Sequence, residues 1–258
     1  MTMFPIRKDP ISTIGSGSLK RKMLILSLAF IKTAILTLPN TAVVNLDASN
    51  HASLYKLDLS NTPLKTLNLS GCKAIESLDI NNRTGNGWNV TTITTLNVSN
   101  CTALRYLYCN ATAVNALTIT GCTTLEQLDC SYSALSSLTL TDCAALHYLN
   151  CSETAITGLD ISKNKNLRTL DCSNTGISKL DVTGNESLTY INVEETGVTT
   201  LDLRKNPNLT SLYCGRNMTT IYLNELKDNA SGIGRTILNR SKYNNQYAKI
   251  IVYFPLNG

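Results

Sequence analysis

Regularly spaced tyrosines are the residues of this 258-residue chain best suited to contact another molecule. Tyr106, Tyr148 and Tyr190 lie at equal intervals. Tyrosine offers apolar area and a hydroxyl group at a low entropy cost, which suits a binding surface. The alternative is that tyrosine occurs here only because it is a good strand residue. The candidate ligand-binding residues are Tyr106, Tyr108, Asp129, Tyr132, Tyr148, Asn150, Asp171, Tyr190, Asn192, Tyr213 and Trp88.

Nine cysteines and two histidines are the other candidates for chemistry. No C-x-x-C pair occurs, and Cys109, Cys130, Cys151 and Cys172 occupy a position that Leu, Ile or Val fills elsewhere, where cysteine acts as a small hydrophobe. No Ser–His–Asp set, phosphate-binding glycine loop or carboxylate pair stands out. We therefore predict no enzymatic activity, no metal site and no cofactor. We also predict free thiols, because disulfides between parallel neighbouring strands meet strained geometry.

The chain repeats a unit of 21 residues, shown by LRTLDCSNTGISKLDVTGNES from Leu167 to Ser187. With Leu167 as position 1, apolar residues recur at positions 1, 4 and 6 and again ten residues later, so each unit has two halves. The alternation at positions 4 and 6 predicts short strands, and no stretch within the repeats keeps a helical period. One unit cannot bury its apolar side alone, so copies must stack about 5 Å apart. Nine copies fill residues 33–223.

The segment LRTLDCSNTGI resembles the leucine-rich repeat pattern L-x-x-L-x-L-x-x-N/C-x-L. With its second leucine-rich half, the unit is similar to the nested 21-residue (10+11) bacterial type. The resemblance implies a β-rich solenoid, a right-handed superhelix of nine coils with parallel strands and few or no helices inside the repeats. The chain departs from the family at position 9, which usually holds asparagine and here mostly holds threonine. We expect these hydroxyl groups to bond the turn backbone more weakly.

A second column of related residues occupies position 19 and changes from cysteine to asparagine along the chain. The exchange of Cys with Asn and His predicts a semi-buried turn that accepts small or polar groups. The residues at this position are His51, Cys72, Cys101, Cys122, Cys143, Asn164, Asn185 and Asn206.

Three segments follow from the repeat: 1–32 as a disordered N-terminus plus a signal-like or capping segment, 33–223 as the solenoid, and 224–258 as a C-terminal cap. KRK followed by MLILSLAFI is typical of a secretory signal. The alternative is a short helix that covers the first coil. The apolar run is too short to predict a membrane span. AKIIVYF, at 248–254, predicts a strand that pairs with the last coil.

An insertion at 81–92 interrupts one unit and contains Trp88, the only tryptophan in the chain. One interpretation is a tolerated loop whose tryptophan covers the flank of the solenoid. The other is a projecting contact loop, since loops on a rigid scaffold often carry binding residues.

In leucine-rich repeats the strand residues between the leucines face outward, and the tyrosines of the candidate set occupy those positions in the first half-unit. The outward positions of the second half are mostly Thr, Ser and Asn. We therefore predict non-enzymatic recognition of a protein, or less favourably a glycan, through a Tyr/Asp/Asn strip. The alternatives are a purely structural spacer or surface-display rod, and an effector with its activity in 224–258.

The net charge of +5 comes from basic residues crowded at the two ends of the chain, so we predict no nucleic-acid partner. We expect a monomer. The bacterial resemblance implies a secreted or cell-surface protein, whereas free thiols favour a cytoplasmic one.

Overall fold

The computed structural model describes residues 24–27, 34–69, 71–82, 91–224 and 249–253. These residues form short parallel strands joined by turns, and no helix occurs among them. The strands are β1 (Leu24–Ser27), β2 (Ile35–Thr37), β3 (Val43–Asp47), β4 (Lys56–Asp58), β5 (Thr66–Asn68), β6 (Ser77–Asp79), β7 (Thr95–Asn97), β8 (Tyr106–Tyr108), β9 (Ala116–Thr118), β10 (Gln127–Asp129), β11 (Tyr148–Asn150), β12 (Thr169–Asp171), β13 (Tyr190–Val193), β14 (Thr200–Asp202), β15 (Ser211–Cys214), β16 (Thr220–Asn224) and β17 (Lys249–Tyr253).

The first half-units build one nine-stranded sheet in the order β15–β13–β12–β11–β10–β8–β6–β4–β2. Each strand pairs with its neighbour in parallel, at equivalent positions of successive units. Leu149, for example, lies between Leu128 and Leu170. Each coil therefore contributes one strand, which confirms the predicted β-solenoid of nine coils.

The core consists of columns of equivalent apolar residues that point inward from both half-units. Leu128, Leu149 and Leu170 of the position-4 column are 0% exposed. Cys130 and Cys151, at position 6, are also 0% exposed and belong to the same hydrophobic cluster. This confirms that the position-6 cysteines pack as small hydrophobic residues.

The opposite side of the solenoid is paired less continuously. Its strands fall into three groups, β1–β3–β5, β7–β9 and β14–β16–β17. Between β9 and β14 the equivalent segments at 137–139, 158–160 and 179–181 form no strand. A groove of about 630 Å³ opens there between coils. The strand period in the second half-units is thus realised only in part.

Hydroxyl groups at position 9 close the turn after seven of the nine strands of this sheet. The Oγ1 atoms of Thr112, Thr154 and Thr175 each donate a hydrogen bond of 2.7 Å to the carbonyl oxygen three residues earlier. Each hydroxyl satisfies a buried acceptor within its own turn. The prediction that these hydroxyl groups bond the turn backbone is confirmed, and their weakness relative to asparagine stays a prediction.

Every residue at position 19 is buried, with at most 8% of its surface exposed, so the prediction of a semi-buried turn was wrong. The Sγ of Cys72 donates to the Ala48 carbonyl at 2.8 Å. The Nδ2 of Asn185 donates to the carbonyls of Ile161 and Asn164 at 3.0 and 2.9 Å. Cysteine and asparagine can share this position because both donate to buried carbonyls of the preceding coil, which need a partner.

Both ends of the solenoid carry an added strand. The four described residues of β1 pair with β3, so they are extended and the predicted capping helix is wrong for them. Strand pairing supplies hydrogen-bond partners to the backbone of the sheet edge, whereas a helix could only cover it. The predicted C-terminal strand is confirmed, since β17 pairs with β16. The three domain boundaries remain predictions.

All nine cysteines are free, and only Cys214 is more than marginally exposed. Burial raises the pKa of Cys101 and Cys122 to about 12 and that of Cys143 to about 11. The thiolate is the reactive form, so buried neutral thiols should be inert. We expect one slowly reacting thiol, Cys214, in a thiol titration of the native protein, and all nine in denaturant. Several fast thiols in native buffer would contradict this packing.

Candidate functional site

The predicted site residues lie together on the nine-stranded sheet, in two rows of side chains that run across the strands. We call these rows the Tyr/Asp/Asn strip. One row contains Tyr106, Gln127, Tyr148, Thr169, Tyr190 and Ser211; the other contains Tyr108, Asp129, Asn150, Asp171, Asn192 and Tyr213.

Two predicted residues do not belong to these rows. Tyr132 lies in the turn after β10, beside the strip. Trp88 and the insertion residues 83–90 lie outside the described part of the chain. The two interpretations of that insertion therefore remain open.

The strip is braced by contacts between neighbouring strands. The Tyr190 and Tyr213 rings are 5.4 Å apart between centroids, with planes tilted by 41°. The Tyr108 hydroxyl donates to Oε1 of Gln127 at 2.9 Å. Asn192 Nδ2 donates to Oδ2 of Asp171 at 3.2 Å. Half-buried side chains held in this way form a surface that is largely organised before a partner binds.

The aspartate and asparagine side chains of the second row also accept hydrogen bonds within the turns that follow their strands. The Oδ1 of Asp129 accepts hydrogen bonds from the backbone N and the Oγ of Ser131, at 3.1 and 2.6 Å. The Oδ1 of Asn150 accepts the same pair from Ser152, at 3.1 and 2.8 Å. Aspartate and asparagine therefore do equivalent structural work at this position. They differ in charge, which only the aspartates bring to the strip.

The sequence did not lead us to expect this structural role, which the aspartates of the second half-units share. Asp160, for example, accepts from the backbone N of Ser162 at 2.9 Å. A serine recurs two residues after three successive aspartates or asparagines of the second row, as Ser131, Ser152 and Ser173. This spacing was the signal of the turn that could have been recognised in the sequence.

Negative charge is concentrated around the tyrosines of the C-terminal coils. Burial raises the pKa of Tyr148 and of Tyr190, and the Asp171 carboxylate contributes to both shifts. Burial also raises the pKa of Glu194, with further contributions from Glu195 and Asp171. A positively charged group near these side chains would relieve the repulsion among the Glu194, Glu195 and Asp171 carboxylates.

Two arginines of the chain are held by a tyrosine and a carboxylate together. Arg105 lies over the Tyr106 ring, 5.2 Å from its centroid, and its Nε and Nη2 donate to Glu126 at 2.9 and 3.0 Å. Arg204 lies 5.7 Å from the Tyr222 centroid. The first arrangement was not predicted, although Arg105 and Glu126 occupy position 2 of adjacent units.

Tyr132 is the most exposed large aromatic residue of the described chain, at 62%. Its φ of 53° lies in the left-handed region, which is unfavourable for a bulky residue. The equivalent Glu153 and Glu195 share this conformation, with φ of 55° and 50°. The turn has this geometry in seven of the nine coils, with Asn, Ala, Tyr or Glu at position 8.

Replacing Glu153 by asparagine is expected to raise the free energy of unfolding by about 0.5–1 kcal/mol, because asparagine tolerates the left-handed region better than glutamate. Asn174 already occupies this position in the next coil, with φ of 52°. Urea unfolding followed by circular dichroism would measure the change. Ala155→Asn is the control, at an exposed residue without a positive φ. Equal effects of the two variants would refute the strain argument.

Among the described residues, no group of three or more His, Cys, Asp or Glu side chains is arranged to hold a metal ion. That part of the chain also contains no helix long and apolar enough to cross a membrane.

Comparison with known proteins identifies solved structures of the same shape. No family model matches the chain, and no curated protein matches it. The functional domain of InlJ from Listeria monocytogenes, which includes a cysteine ladder, is 26% identical with a TM-score of 0.60; the match covers 72% of this chain and 45% of that one. Internalin C2 of the same organism is 17% identical with a TM-score of 0.52, over 70% of this chain and 80% of its own.

The repeated leucine pattern, the parallel solenoid and these neighbours together define a leucine-rich repeat protein. Within that class, the chain has nested coils and a buried column of Cys72, Cys101, Cys122 and Cys143, and it is similar to the InlJ domain with its cysteine ladder. It spans less than half of that protein's chain.

Proposed function

We propose that this protein is a non-enzymatic binding module that recognises another protein through the Tyr/Asp/Asn strip. The observation that supports the proposal is the register, which gathers five tyrosines on one face of a continuous sheet. Aromatic residues are enriched at protein interfaces because they bury large areas at low entropy cost.

Tyr132 adds a second line of support at the edge of the strip. An exposed aromatic ring held at positive φ costs free energy without contributing to the core. A contact with a partner would account for keeping a tyrosine there. The structural spacer offers no such account.

The test is a variant in which Tyr106, Tyr148 and Tyr190 are all replaced by threonine. Threonine is chosen because it already occupies the equivalent position of the same row, at Thr169. We expect it to lose the ligands that the wild-type protein recognises on protein and glycan arrays. Tyr55→Thr is the control, because Tyr55 is exposed but outside the strip.

Three results would count against the proposal. Unchanged recognition by the triple variant would favour the structural spacer. Recognition of glycans alone would replace protein with glycan as the ligand class. An activity that disappears when residues 224–258 are deleted, while the solenoid stays folded, would favour the effector.

Secretion or display at the cell surface is part of the proposal. It is supported by the basic residues at 20–22 followed by the apolar run at 23–31. The pairing of β1 with β3 supports the alternative, in which this segment caps the solenoid.

A further inference from the structure

The chain binds its own guanidinium groups with a repeated device, a tyrosine face combined with a carboxylate. Arg105 uses Tyr106 and Glu126, and the Arg204 guanidinium, 5.7 Å from the Tyr222 centroid, donates to Asp202 at 2.9 and 2.6 Å. The π face attracts the cation, and the carboxylate accepts charge-assisted hydrogen bonds from the planar donor set of arginine.

The strip offers two further tyrosine–carboxylate pairs without an ion-pair partner among the described residues. Tyr148 lies on the strand next to Asp129, and Tyr190 on the strand next to Asp171, all on the same face of the sheet. Within the described residues, neither of these carboxylates takes part in an ion pair.

The two pairs are separated by two strands, which corresponds to about 9.6 Å at the usual spacing of neighbouring strands. Every third residue of a polyproline II segment faces the same way and lies about 9.3 Å further along. Residues on the same face of a β-strand repeat at about 6.6 Å, and two turns of an α-helix advance about 10.8 Å. The polyproline II repeat therefore matches the pairs best.

Thr169 separates Tyr148 from Tyr190 in the first row. Its side chain is much smaller than the tyrosines on either side, so a gap between the two rings is expected above the sheet. A planar guanidinium group could enter this gap with Asp171 close by in the second row.

We propose that the strip binds an extended polypeptide segment that carries arginine at every third residue and lies across the strands, along the solenoid axis. The inference rests on the proposed function and adds the chemistry and conformation of the partner. The acidic strip complements the cationic side chains, and a polyproline II segment loses little entropy on binding because it is already extended.

The binding test uses fluorescence anisotropy with two labelled peptides of identical composition. One peptide is a repeat of Pro-Pro-Arg. The other has the same composition, but its arginines are gathered in one half of the peptide, at every second position. We expect the repeat to bind at least tenfold more tightly, and its affinity to fall as salt is added. Equal binding of the two peptides would overturn the inference.

Two charge-neutralising double variants separate a specific site from general attraction. Asp129→Asn with Asp171→Asn removes charge from the strip, and the turns should persist because Asn150 already makes the same bonds. Asp160→Asn with Asp181→Asn removes equal charge from the opposite side, where Asn97 makes the same bond to Ser99 at 2.9 Å. We expect about a tenfold loss of affinity from the first and less than about twofold from the second.

The outcomes distinguish this inference from the proposed function. If the triple tyrosine variant loses its array ligands but neither peptide binds the wild-type protein, the strip is a binding site for a partner of different chemistry. If both double variants weaken the binding of the Pro-Pro-Arg peptide equally, the attraction is non-specific and the inference fails. Binding of an uncharged oligosaccharide in place of the peptides would overturn both.

Discussion

Replacing Leu149 by alanine is expected to lower the free energy of unfolding by about 3–5 kcal/mol. Leu149 is 0% exposed and is stacked between Leu128 and Leu170 in the middle of the nine-stranded sheet. Its removal forfeits the burial of several methyl and methylene groups and leaves a cavity that neighbouring coils cannot close without breaking register. Urea unfolding followed by circular dichroism would measure the loss.

Leu159→Ala is the matched control for this prediction. It makes the same chemical change on the opposite side of the solenoid, where Leu159 is only partly buried and lines the groove. We expect a loss of about 1–2 kcal/mol, since less apolar area is removed from the core. A Leu149 variant no less stable than the Leu159 variant would mean that the position-4 column does not carry the stability of the fold.

Replacing Asn185 by leucine is expected to cost about 2–4 kcal/mol. The variant loses both hydrogen bonds from Nδ2 and leaves the buried carbonyls of Ile161 and Asn164 without these donors. Part of the cost is offset, because Oδ1 of Asn185 has no hydrogen-bond partner among the described residues and leucine removes this buried oxygen.

Asn185→Cys tests whether the two halves of the position-19 column are equivalent. In the cysteine half of the column, the Cys122 thiol donates to the Val98 carbonyl at 3.1 Å. A cysteine at position 185 should therefore keep one of the two hydrogen bonds that asparagine donates. We expect this variant to lose less than about 1.5 kcal/mol. The same urea unfolding measurement would show this, and a cysteine variant less stable than the leucine variant would contradict the equivalence.

Much of the candidate site could be predicted because the repeat converts sequence distance into spatial distance. Tyr106, Tyr148 and Tyr190 share one position of the unit, so a stacked solenoid has to place them in one row. The role of Asp129 in its turn was harder to foresee, because carboxylates that hold turns and those that bind ligands are the same residue type. The tyrosine contact of Arg105 depends on a side-chain conformation that no spacing specifies.

The sequence by itself determined the coil and its register, because apolar residues at fixed positions can be buried only when identical positions stack. The tertiary structure decided where the stacking is complete. Strands pair without interruption on the side that carries the strip and separate at 137–139, 158–160 and 179–181 on the other. It also decided that position 8 is left-handed in seven of the nine coils and that position 19 is buried. Both depend on how each turn packs against the next coil, an interaction between units that the pattern within one unit does not contain.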